Sequence, residues 1–225
     1  MDLLNIIRVN LGQIKLLKIL LYPFNRVIRR FNEYKMNYYY KKNGILVFNT
    51  FVETLNELNI TFWPEFGTLL GIHRENDFLK HDYDFDFGAY IDNFDFLTKA
   101  LKDKGFKLLY TYYCPDDEKI KESTYSFKGV NIDIFYFVRK SDGDYCYTFI
   151  PGNTENITEL HYKIKVFKFE KIELINRRFK GHDILLPKDI ENHLTVSFGA
   201  SYMIPDPNFK SINFNFLDNY YALKK

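Results

Sequence analysis

The hydrophobic pattern changes period several times along this chain. Across residues 44–59, Val47, Phe48, Phe51, Leu55 and Leu58 recur at helical spacing and predict a helix. Residues 60–64 read as a short buried strand leading into a turn. Gly67 and Thr68 open a second helix, 69–74. The period then drops to two over 82–87, a strand that runs on towards Ile91. Asp92 or Asn93 caps a further helix to about Lys104, where Gly105 ends it. Residues 106–113 form a strand, and the polar stretch 114–122 reads as an exposed loop. A hairpin is expected over 123–138. Asp142-Gly143 turns the chain into a strand over 145–150, and 151–162 is irregular. Strand-like alternation returns over 163–186, with Gly181-His182 as its turn. Pro187 starts a late helix that Gly199 ends, and the tail is irregular. This order predicts one α/β (α+β) domain over residues 43–225.

Charge separates the first 42 residues from that domain. The whole chain has a net charge of +2. Residues 1–42 hold nine Lys or Arg and two acids, a net of +7, which leaves −5 on the remainder. The same segment places Leu3, Leu4, Ile7, Leu11, Ile14, Leu17, Leu20, Leu21 and Phe24 at helical spacing. Charges recur too often for a bilayer span, and no small-residue cleavage site follows as in a secretory signal. A basic amphipathic helical arm suits either an anionic membrane surface or packing against the domain. A cytoplasmic protein, peripheral on the membrane in the first case, is the expectation. Nucleic-acid binding is not expected, because the body is acidic and its basic residues form no aromatic-interleaved groove. Cys114 and Cys146 have no CxxC partner and predict no zinc site.

The chemistry concentrates in Asp82-Tyr83-Asp84-Phe85-Asp86-Phe87. On a strand, the three acids share one face and the three aromatics the other. Three like charges side by side suit a hard divalent cation such as Mg²⁺ or Mn²⁺, or else a solvated edge strand. An EF-hand loop does not fit, since Phe87 and Asn93 stand where Gly and Glu are needed. Asp133, between Ile132 and Ile134, faces away from the core on a predicted strand and can sit beside Asp84 and Asp86. Upstream, Gly67 and Thr68 place free N–H groups and a hydroxyl at a helix start, where a phosphate can bind.

A Gly-Thr turn, a carboxylate strand and a later acid, in this order, resemble the nucleotidyltransferase superfamily. More narrowly, residues 66–74 (FGTLLGIHR) and 78–86 (FLKHDYDFD) resemble the LicD/fukutin family, as do 179–187 (FKGHDILLP) and 194–205 (LTVSFGASYMIP). The likeness spans roughly residues 63–205. Phe198 replaces the Tyr usual before Gly199, and His81 replaces an aromatic residue before the first Asp.

The resemblance implies a nucleotidyltransferase-like mixed sheet flanked by helices. It also implies a phosphotransferase that moves a phosphorylated alcohol, such as phosphocholine or ribitol phosphate, from a CDP-linked donor to a glycan hydroxyl. Asp84, Asp86 and Asp133 would hold the Mg²⁺ or Mn²⁺. Asp82 would be a further ligand or a base, and Asp133 could instead activate the acceptor hydroxyl. Gly67, Thr68 and Arg74 would contact donor phosphate, with His81 nearby. Three alternatives stand beside this one: a nucleotidyltransferase using NTP on a small molecule, a DxD glycosyltransferase, and a non-catalytic adaptor.

Overall fold

The computed structural model describes residues 15–90, 94–151, 162–206, 215–217 and 220–224. Residues 91–93, where the cap at Asp92 or Asn93 was expected, fall outside them, as does most of the 151–162 stretch.

A 43-residue helix, α1 (Lys15–Glu57), leads into β1 (Thr61–Pro64). Then come α2 (Phe66–Glu75), β2 (Asp84–Tyr90) and α3 (Phe94–Asp103). Four strands follow: β3 (Lys107–Cys114), β4 (Asp117–Phe127), β5 (Val130–Tyr136) and β6 (Val138–Lys140). Next are β7 (Gly143–Pro151), β8 (Tyr162–Phe169), β9 (Leu174–Phe179) and β10 (His182–Pro187). The chain closes with α4 (Ile190–Phe198), β11 (Asn215–Phe216) and β12 (Leu223–Lys224).

The main sheet has the order β1-β2-β5-β4-β3-β12. Among its described strands only β2 and β5 run parallel; the other pairs are antiparallel, so the sheet is mixed. A second sheet, β11-β8-β7-β6, and the β9–β10 hairpin complete the fold. The α+β class expected from the hydrophobic pattern is the one observed.

One face of the main sheet makes the core. Phe85 and Phe87 of β2 and Ile132 and Ile134 of β5 are fully buried there with Val47, Phe48, Phe51 and Leu55 of α1. The rings of Phe51 and Phe87 lie 4.5 Å apart, and Phe48 also meets Phe85 and Phe87. Burying such side chains contributes about 1.5–3 kcal/mol each, which fixes β2 and β5 in register. Their alternate residues, the acids, are thereby turned to the opposite face.

Several boundaries differ from the sequence reading. The helix expected from residue 44 runs unbroken from Lys15, so the described part of the basic arm is continuous with it. Residues 114–122 are not a loop. Apart from a tight turn at Pro115 and Asp116 they belong to β3 and β4, which pair antiparallel, and one apolar residue, Ile120, anchors the charged strand in the interior. Pro187 ends β10 instead of opening a helix; α4 starts three residues later behind Asp189, whose carboxylate accepts from the Asn192 N–H at 3.1 Å. The tail is not wholly irregular: β12 adds to the main sheet against β3, and β11 pairs with β8. Strand β2 begins at Asp84, where pairing with β5 begins, so Asp82 and Tyr83 precede it.

Candidate active site

Side chains two apart on a strand share a face, so Asp84 and Asp86 point the same way. Strand β5 lies directly alongside, with Asp86 opposite Asp133 in the parallel register. Neighbouring strands are about 4.8 Å apart, which brings these two carboxylates together. Asp133 is turned to this face because Ile132 and Ile134, on either side, are fully buried.

Asp82 reaches the same place from the loop before β2. That loop runs back along α2. A Cβ on Gly71 would meet Asp77 O and Leu79 N, and one on Gly67 would stand 2.7 Å from Asp82 Oδ2 and 3.3 Å from Asp86 Oδ2. Gly67 therefore leaves the space that two carboxylates occupy.

The start of α2 holds residue 86 through three hydrogen bonds. The Gly67 N–H donates to Asp86 Oδ2 at 3.1 Å, the Asp86 N–H donates to Thr68 Oγ1 at 2.9 Å, and the Glu65 N–H donates to Asp86 O at 2.9 Å. Thr68 is buried. The Gly-Thr pair expected to meet a phosphate thus positions a carboxylate in this structure. Asp133 is held separately, by the hydroxyl of Thr124 on β4. Asp82 shares a side-chain hydrogen bond with Asp84 and accepts from the Tyr83 N–H at 3.2 Å. Asp82, Asp86 and Asp133 thus each accept a hydrogen bond from outside the acidic cluster. Among the described residues no three acids, histidines or cysteines stand as a ready-made metal cage.

The electrostatics of this face are unfavourable as they stand. Burial, followed by the charges of Asp82 and Asp133, pushes the Asp84 carboxyl up to about 8. Burial and the charges of Asp84, Asp133 and Asp82 hold Asp86 well above the usual carboxylate range. Asp133 is raised by burial to about 6, against the bond from Thr124. Asp82 is also raised by burial, while its bond with Asp84 and the charge of His81 act the other way. A hard cation that takes one or two carboxylate oxygens fits this donor set, because it offsets the repulsion the carboxylates otherwise carry.

His81 is exposed beside Asp82. Arg74 lies in the last turn of α2. It is seven residues beyond Gly67, about 10 Å along the helix, and its guanidinium pairs with the adjacent Glu75 at 3.2 Å.

Three residues of this region escaped the sequence reading. Glu65 is fully buried, caps α2, accepts from the Trp63 indole at 2.8 Å and meets His193 Nε2 at 2.9 Å. His193, also buried, stacks on Phe169 at 4.2 Å. Glu122 lies on the same face of β4 as Thr124, and burial and the charge of Asp133 raise its carboxyl well above the usual range. The run Glu122-Ser123-Thr124 has no apolar alternation that would have singled out Glu122. Sequence alone gives no signal for the Glu65–His193 pair, whose members are 128 residues apart.

The class of arrangement is thus a mixed α+β sheet with clustered acids on adjacent parallel strands, beside a glycine-led helix start. Residues 59–189, more than half the chain, match the model of the LicD/FKTN/FKRP family, nucleotidyltransferase domain, and the chain belongs to that family. It is by family an enzyme of the transferase class. Among curated proteins it is similar to the ribitol-5-phosphate transferase FKTN of Macaca fascicularis and of Homo sapiens, 25% identical over 171 residues in each, covering 74% of this chain and 34% of theirs. The Mus musculus protein of the same name is 25% identical over 158 residues, covering 68% of this chain and 32% of its own. The chain thus spans about a third of the length of these relatives.

Proposed function

We propose that this chain transfers a phosphorylated alcohol from a CDP-linked donor to a hydroxyl of a glycan, with Mg²⁺ or Mn²⁺ held by Asp84, Asp86 and Asp133. The observation that carries the reading is the register pairing of Asp86 with Asp133, with Asp84 on the same face. Membership of the LicD/FKTN/FKRP family and the transferase names of the relatives support it.

The ion would supply neutralisation of donor phosphate charge. The residues do the rest. Asp86 is fixed by Gly67 and Thr68, so its carboxylate is placed before any ligand arrives. Asp133, opposite Asp86 in the register and held by the Thr124 hydroxyl, completes the set that would hold the ion. Asp82, on the loop, serves as a further ligand to the ion, beside the exposed His81.

The test is product release. Full chain, Mg²⁺ or Mn²⁺, a panel of CDP-choline, CDP-ribitol and CDP-glycerol, and soluble glycan acceptors should yield CMP with one donor, and Asp84→Ala should abolish it. Pyrophosphate from an NTP, with no CMP from any donor, would replace the reading with nucleotidyl transfer.

A further inference from the structure

From Val27 to Ile45, α1 carries an apolar stripe that is exposed among the described residues. Val27 is 65% exposed, Phe31 66%, Tyr34 74%, Tyr38 51% and Ile45 49%. Their spacings of four, three, four and seven residues keep them within a narrow arc of one helix face. The opposite face, through Tyr40 and Val47, packs against the core. The stripe is therefore not the amphipathic surplus of a packed helix.

Its flanks are basic. On a 3.6-residue helix, Arg30 and Lys41 border it on one side and Lys35 and Lys42 on the other, all four exposed. The acid of this stretch, Glu33, projects about 120° away from the stripe centre. Beside the stripe, α1 and the β4–β5 turn form an open groove of about 830 Å³. It is lined by Asn32, Lys35, Tyr39, Lys42 and Lys128, among others, which suits a phosphate headgroup. Large exposed apolar residues rimmed by cations are the features of an interfacial helix.

We infer that this face of α1 docks on an anionic phospholipid surface, with Phe31, Tyr34 and Tyr38 entering the headgroup boundary and Lys35, Lys42 and Lys128 meeting lipid phosphates. Charge complementarity selects this occupant over a second copy, because pairing two such faces would bring two basic rims together. No described helix is long and apolar enough to cross a membrane, so the contact is with the surface. The inference is independent of the donor chemistry proposed above.

The experiment is co-sedimentation of the full chain with vesicles of phosphatidylglycerol and phosphatidylethanolamine, against vesicles of phosphatidylcholine. Binding should favour the anionic vesicles by about tenfold and weaken at high salt. Phe31→Asp with Tyr34→Asp should lose that binding at unchanged melting temperature, and CMP release on a soluble acceptor should stay unchanged. Equal sedimentation of wild type with both vesicle types would overturn the inference. So would undiminished binding by the double variant. A dimer in analytical ultracentrifugation that the double variant abolishes would assign the stripe to a second copy and overturn it as well. Loss of CMP release in wild type with vesicle binding intact would count against the phosphotransfer reading alone.

Discussion

Replacing Asp84 with Asn should make the metal-free protein more stable at alkaline pH while abolishing its activity. In the folded chain the Asp84 carboxyl is raised from its ordinary 3.8 to about 8. The folded state therefore binds more protons than the unfolded state between those values, and stability falls as pH rises through the window. The penalty is absent near pH 4 and fully developed above about pH 8. At 1.36 kcal/mol per pKa unit, a four-unit displacement has a ceiling of roughly 5–6 kcal/mol. Relaxation and proton sharing with Asp82 reduce it, and about 1–3 kcal/mol is the expected gain of Asp84→Asn at pH 8.5. In a chain of this size that is an increase in Tm of roughly 2–12 °C. The assay is thermal unfolding of both proteins in EDTA at pH 4.5 and pH 8.5. No gain at pH 8.5, or the same gain at both pH values, would refute the electrostatic reasoning.

Three further outcomes are expected. Glu65→Ala leaves His193 and the Trp63 indole without their carboxylate and should cost about 3–5 kcal/mol by urea unfolding, with Glu65→Gln retaining at least half of that. Gly88→Ala would put a Cβ 2.6 Å from Trp63 Cε2; because Glu65 holds that indole, a loss of about 1–3 kcal/mol should follow, read as a lower Tm. Thr124→Val removes the hydroxyl that lowers the Asp133 carboxyl, so the acid limb of the kcat/KM profile should move up by about one pH unit.

The candidate site was more legible than the frame around it. Period-two alternation around Phe85 and Ile132 disclosed which side of each strand was wet, and hence that Asp84, Asp86 and Asp133 could meet. Sequence could not say that β2 and β5 would be parallel neighbours, since 39 residues, with two strands among them, intervene. The stretch 114–122 misled because a charged hairpin has a loop's composition; only Cys114 and Ile120 of it are buried hydrophobic residues. Pro187 misled for a local reason: it sits at the end of an edge hairpin, where a missing N–H costs little. The role of Thr68 was also hidden, because a hydroxyl at a helix start has the same sequence signature whether it meets a ligand or, as here, the N–H of Asp86.

Calorimetric titration of Mn²⁺ into the full chain, wild type beside Asp86→Asn and Asp133→Asn, probes the acidic pair where β2 and β5 touch. Wild type should take up one ion per chain, and each substitution should weaken that uptake at least tenfold without unfolding the protein. Wild type that gives no heat with either Mn²⁺ or Mg²⁺, or variants that bind as tightly as wild type, would contradict the account.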